Sequence, residues 1–187
     1  MSSFTIPLGE RVLPYDLGSS AEVTQAMRAL QTQGGVLFNN IPDHLRDDGS
    51  ADPSAWAAGV ASIFLPALVE IVPELGSESY GIQARRHTHK ADTPLGVHYD
   101  PRYRDPIFWG ETRGYASAEF RFSGPITGDR QKHYWFEASP GTMWVLAGPR
   151  LLDGRQRILH ELGSPSFNSS VEVDRTITMG SFIAPKK

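Results

Sequence analysis

His133-Tyr134-Trp135-Phe136-Glu137, then Ser139-Pro140-Gly141, then Thr142-Met143-Trp144-Val145-Leu146: an aromatic run, a turn and an apolar run. Aromatic and β-branched residues suit the pleated, half-buried surface of a strand, and Pro and Gly supply the backbone angles of a turn. The same texture begins at Tyr80. Candidate strands fall at residues 80–85, 96–99, 115–122, 133–137, 142–146, 157–162 and 171–184, with further turn chemistry at Gly124-Pro125 and Ser164-Pro165. Short strands punctuated in this way predict a β-sandwich or barrel.

The first part of the chain reads differently. Ser19 and Glu22 have capping-box spacing, and Val23, Ala26, Met27 and Leu30 then share one helical face. Gly34-Gly35 stops this helix, because glycine accepts the left-handed conformation at that end. Val36-Leu37-Phe38 follows as a buried strand, and a polar loop runs over residues 43–52. A second helix starts near Pro53, with Trp56, Val60, Ile63, Phe64 and Leu68 as its apolar stripe, and Pro66 is expected to break or kink it. The expected organisation is a single α+β domain, with residues 1–78 as mainly helical support and residues 79–187 as a β-barrel core.

Composition sets the bounds. The 187 residues are 40% hydrophobic and 21% charged, a globular balance. A net charge of −3 excludes a strongly basic nucleic-acid binder. With no cysteine, disulfides, thiolate metal sites and cysteine nucleophiles are excluded. The cysteine-free chain fits a reducing compartment. Neither a secretory signal nor a membrane span is read from it, since the most apolar stretch, residues 55–72, carries Ser62, Pro66 and Glu70. The expected location is therefore the cytoplasm, with no nucleic-acid or membrane partner. No glycine-rich nucleotide motif and no G-x-S-x-G elbow occurs.

His98 and Asp100 are the first chemical candidates. Strand periodicity puts both side chains on one face, where an imidazole and a carboxylate can hold one side of a divalent metal. The competing reading is an exposed His-Tyr-Asp-Pro turn. A second histidine completes the facial triad of non-haem Fe(II), and His160 lies in the alternating run Arg157-Ile158-Leu159-His160-Glu161-Leu162. Alone, His160 reads equally as a hydrogen-bonded core histidine. Arg175 sits in a late apolar strand; pointing inward it needs an anion, for which a carboxylate is the bidentate match, and pointing outward it needs only a surface acid.

The ordered set His98-Tyr99-Asp100, His160, Arg175, together with Gly34-Gly35-Val36-Leu37-Phe38, resembles the Fe(II)- and 2-oxoglutarate-dependent dioxygenases. The resemblance implies a double-stranded β-helix (jelly-roll) core with iron on His98, Asp100 and His160. It implies 2-oxoglutarate as cosubstrate, with its far carboxylate on Arg175, and dioxygen as the second cosubstrate. The acid at Asp100 argues against a halogenase. Many relatives carry Ser or Thr two residues after the arginine; here that position is Ile177, so a second carboxylate contact is expected from an earlier strand, with Tyr80 and Gln83 as candidates.

The activity this implies is oxidation of a small, biosynthetic molecule, by hydroxylation or by desaturation or ring formation. A protein side-chain hydroxylase and a non-catalytic ligand-binding barrel are the alternatives. His87-Thr88-His89 is a second metal-like pair of cupin type, but it lacks the following Glu and reads as a basic, solvated strand end. The segment from Pro101 to Arg113 is read either as a substrate wall of aromatics and arginines, suited to an anionic or aromatic substrate, or as a surface loop with ordinary charge pairs.

Overall fold

The computed structural model describes residues 4–89, 94–100, 104–113, 116–152, 156–163, 166–167 and 175–183; for His89, Ala116, Ser166, Phe167 and Arg175 it describes the backbone alone. The sequence-predicted turn at Ser164-Pro165, the wall residues Arg102 and Tyr103, and residues 171–174 of the last strand lie outside the described residues.

Strands β1 (Glu10–Arg11) and β2 (Tyr15–Asp16) lead into helix α1 (Ser20–Gln33). Ser19 caps α1 through Glu22 N (3.4 Å), and the Glu22 carboxylate reaches back to Asp16 N (2.7 Å), three residues before the cap. Gly34 ends the helix at φ 84°, its N–H on Leu30 O. Strand β3 (Gly35–Asn39) follows, then helix α2 (Ser54–Ile71). Pro66 does not break α2: it lies on the exposed side, where the carbonyl that loses a partner can turn to water. Trp56, Val60, Phe64 and Leu68 are buried on the opposite side.

The strands β4 (Gly81–His89), β5 (Leu95–His98), β6 (Arg104–Arg113), β7 (Ala116–Thr127), β8 (Arg130–Ala138), β9 (Met143–Ala147), β10 (Leu159–Leu162), β11 (Ser166–Phe167) and β12 (Arg175–Ile183) complete the chain. One sheet runs β2-β3-β9-β6-β12-β4; the other runs β1-β8-β7-β10-β5, with β11 on β7. From β4 to β10 the chain passes back and forth between the two sheets, and β12 returns to the first, the course of a jelly roll.

The surface-loop alternative is corrected for residues 104–113: they form β6, a ten-residue strand between β9 and β12. Its alternation sorts the two faces of its sheet. Trp109 points to the helices, with its ring centroid 5.8 Å from Phe64 on α2 and 5.4 Å from Phe182. Phe108 points to the other sheet, 6.0 Å from His160 and 5.8 Å from Trp144. One apolar core cluster joins the helices to both sheets, from Val12 to Phe182. Burying a large aromatic of this kind contributes about 1.5–3 kcal/mol.

The loop after β3 is fixed over the helix-facing side by Asp47. Its carboxylate accepts from Arg86 Nη2 (2.6 Å), Arg113 Nη1 (3.4 Å) and Thr178 Oγ1, and its backbone N–H donates to Glu111 (2.8 Å). Burial raises its pKa, but the hydrogen bonds from Arg86, Thr178 and Gly49 outweigh burial and hold it below the usual carboxylate range.

Candidate metal centre

His98 ends β5, and His160 opens the inward face of β10 directly opposite it in the antiparallel ladder. Asp100 follows β5 by one intervening residue. The ligand atoms of His98, Asp100 and His160 lie within 4.8 Å of one another, the one cluster of this kind among the described residues.

Hydrogen bonds fix both imidazoles. His98 Nδ1 is 2.8 Å from Gly96 O and His160 Nδ1 is 3.0 Å from Ile158 O. A carbonyl only accepts, so each Nδ1 carries a proton and Nε2 is the ring nitrogen left for the cluster, the arrangement usual for a metal-bound histidine. His160 Nε2 faces Asp100 Oδ2 at 3.1 Å. At that distance the two atoms share either a proton or a cation. The other oxygen, Asp100 Oδ1, accepts from Arg104 Nη1 at 2.5 Å.

The electrostatics favour the ligand forms. His98 keeps solvent contact, but partial loss of hydration lowers its pKa first and the neighbouring His160 lowers it further, which favours the neutral imidazole. Burial raises that of Asp100, but the His160 hydrogen bond, with the charges of His160 and Arg104, more than offsets it and keeps the carboxylate ionised. The donor set of two imidazoles and one carboxylate oxygen fits a divalent first-row metal with open positions.

The cluster opens on a cavity of about 160 Å³ between the sheets, walled by Phe120, Trp144, Leu162, Ile177 and Met179, with His87 and Arg104 at its edges. His160 is sandwiched there, stacked on Phe120 at 5.5 Å and 7° and only 4% exposed. Trp144 lies over Gly110, where a Cβ would come within 2.2 Å of its ring, and the buried indole Nε1 has no partner. A larger groove of about 760 Å³ separates α1 and α2 on the outside, but its charged lining is the exposed Arg28–Glu70 pair and no metal-ligating cluster borders it.

Arg175 opens β12, paired with His89 on β4; its side chain lies outside the described residues. Ile177 and Met179, two and four positions on, line the cavity. Neither second-contact candidate lines the triad cavity. Tyr80 donates to Glu78 Oε2 (2.8 Å), accepts from Arg150 Nη1 (3.1 Å) and is not on the cavity wall. Burial and Glu78 push its hydroxyl pKa up. Gln83 lies in an adjoining notch with Arg85 and Arg104. Sequence reasoning missed Trp144 as a cavity residue and offered Arg104 only within the wall proposed for residues 101–113, without the strand that carries it. The available signal was the alternation that aligns Arg104 with Phe108.

No protein-family model and no curated protein matches the sequence. Solved structures do match the fold. A prolyl-4-hydroxylase from Pseudomonas putida superposes with a TM-score of 0.56 at 12% identity, over 96% of this chain and 99% of that one. An oxidoreductase of the 2OG-Fe(II) oxygenase family from Burkholderia pseudomallei gives 0.52 at 13%, over 95% of each chain. The rice dioxygenase for auxin oxidation gives 0.51 at 14%, over 95% of this chain and 83% of that one. At these identities the likeness is one of fold.

Proposed function

We propose that this chain, folded like Fe(II)/2-oxoglutarate oxygenases, is itself an Fe(II)- and 2-oxoglutarate-dependent dioxygenase that oxidises a small molecule. The observation that carries the reading is the convergence of His98, Asp100 and His160, with His160 Nε2 3.1 Å from Asp100 Oδ2, at the mouth of a cavity between the sheets.

His98, Asp100 and His160 would hold the iron. Iron with 2-oxoglutarate supplies the means of activating dioxygen for oxidation of an unactivated carbon. The remaining work belongs to the protein. Gly96 O and Ile158 O keep each histidine's Nε2 turned toward the metal position. Phe120, Trp144 and Leu162 wall the cavity and exclude water. Arg175, which shares its parity in β12 with the cavity residues Ile177 and Met179, would take the far carboxylate of 2-oxoglutarate.

A narrow cavity between two sheets suits a small molecule better than a polypeptide side chain presented on a bulky backbone. The test is succinate release by the full chain with Fe(II), 2-oxoglutarate and ascorbate against a panel of metabolites. Succinate formation, even uncoupled from substrate, supports the enzyme; its absence with every compound leaves a ligand-binding barrel.

A further inference from the structure

Glu161 follows the triad residue His160 in β10 and faces the other way, to the outside of the sheet. It is nonetheless only 4% exposed, with residues 4–6 bound across it. One carboxylate oxygen accepts the Ile6 N–H at 2.6 Å and the other accepts the Thr5 N–H at 3.1 Å. Arg121, its partner across the β7–β10 ladder, holds the same segment. Its Nη1 donates to Ile6 O at 3.0 Å, and its guanidinium lies 3.8 Å from the centre of the Phe4 ring. Gly163, two residues past Glu161, leaves room for that ring, since a Cβ there would come within 2.7 Å of it. A short strap is thus tied by two N–H groups to β10 and by one C=O to β7.

β10 has little else to fix it. It is four residues long, and its pairing with β5 is irregular between His160 and Leu162. β5 is itself the last strand of its sheet among the described residues. The two neighbours of Glu161, His160 and Leu162, both line the triad cavity. Without the strap, β10 would be held by its ladders alone, and a short strand on an irregular ladder opens at low free energy. Each opening takes His160 away from His98 and Asp100. A site that is competent for only part of the time binds its ligand correspondingly weakly.

We infer that Glu161 is a positioning residue: by fastening the strap of residues 4–6 to β10 it holds His160 opposite His98, so that strap docking and metal binding strengthen each other. The inference rests on the metal-centre reading and adds a device that sets its affinity from the far side of the sheet. Such coupling is reciprocal: whatever factor the strap lends to the metal, the metal lends to the strap.

The test uses the full chain with Co(II) as the probe metal. Glu161→Gln turns one acceptor oxygen into a donor that faces a strap N–H, and should weaken Co(II) binding by about tenfold. Thr5→Pro removes one strap N–H without touching β10 or the triad, and should weaken it several-fold; Thr5→Ala keeps that N–H and should not. In the wild-type chain, Co(II) should slow amide hydrogen exchange at Thr5 and Ile6 by about tenfold while exchange at Gly128, in the β7–β8 turn, is unchanged. A purely structural role for Glu161 would move stability and leave both readouts where they are.

Wild-type Co(II) affinity in either Glu161→Gln or Thr5→Pro overturns the inference. So does exchange at Thr5 and Ile6 that ignores Co(II), a measurement that needs no variant and decides the matter should the variants fail to fold. A wild-type chain that binds no Co(II) overturns the metal-centre reading and this inference together; loss of the coupling alone leaves the metal centre standing.

Discussion

His98 and His160 face each other across the β5–β10 ladder with ring centroids 4.3 Å apart, yet His98 is exposed while His160 is stacked into the core. The pair therefore separates metal binding from packing. His98→Ala should abolish stoichiometric Fe(II) binding with little change in stability. His160→Ala should abolish it too and also cost about 1–3 kcal/mol, because it leaves a void beside Phe120 and Phe108. Anaerobic iron titration and calorimetry read the two effects; full iron occupancy in both variants would remove the triad assignment.

Arg175→Ala should weaken 2-oxoglutarate by roughly 10–150-fold, the worth of a charge-assisted contact of about 1.5–3 kcal/mol, and leave Fe(II) binding unchanged. Arg175→Lys should fall between, since lysine keeps the charge and loses the planar fork. Titration of the metal-loaded protein with 2-oxoglutarate measures both. An Arg175→Ala protein with normal cosubstrate affinity would place the carboxylate elsewhere.

Asp47 predicts an acid-sensitive clamp. Its pKa is lowered in the fold, so its contribution is present above the unfolded value, 3.8, and is lost as pH falls through the lower folded value. Arg86 and Arg113 are partly exposed, which moderates the gain. Asp47→Asn should cost about 1–3 kcal/mol at pH 7, with the gap to wild type closing below about pH 4. Urea denaturation across that range decides it; a constant gap would mean the charge plays no part.

Asp105 works in the opposite sense. Burial raises its pKa from 3.8 to about 6, despite the Arg150 N–H at 2.8 Å. A raised carboxyl favours the folded state when protonated, so stability falls as pH climbs from about 4 to 6 and then levels off. Asp105→Asn should leave stability unchanged near pH 4 and raise it by up to about 3 kcal/mol at pH 7. Parallel thermal melts at the two values test this, and a larger benefit at pH 4 would contradict it.

The strands with aromatic and β-branched runs were legible, as were the Ser19 cap and the Gly34 stop, because each is encoded within a few residues. β6 was not, because its charges are satisfied from far along the chain. Asp105 meets Arg150, Glu111 meets the Asp47 backbone, and a proline stands at its third position. Read locally, such a segment is a loop. Pro66 misled for a related reason, since what decides its effect is which side of α2 faces water. Ser139-Pro140-Gly141 announced a turn, but not that β8 and β9 belong to different sheets. The spacing of His98 and Asp100 suggested a metal face; the role of Arg104 needed the strand that carries it.

The passage of the chain between two sheets also governs the order of assembly. β5 meets β10, and β4 meets β12, only after long intervening stretches have been laid down. Pairings so distant in sequence are costly to close and slow to nucleate. A nascent chain lacking β10 therefore holds His98 and Asp100 without His160, an incomplete chelate. A metal on this triad would therefore have to enter a finished protein, unlike the zinc of a zinc finger, which organises the chain around itself.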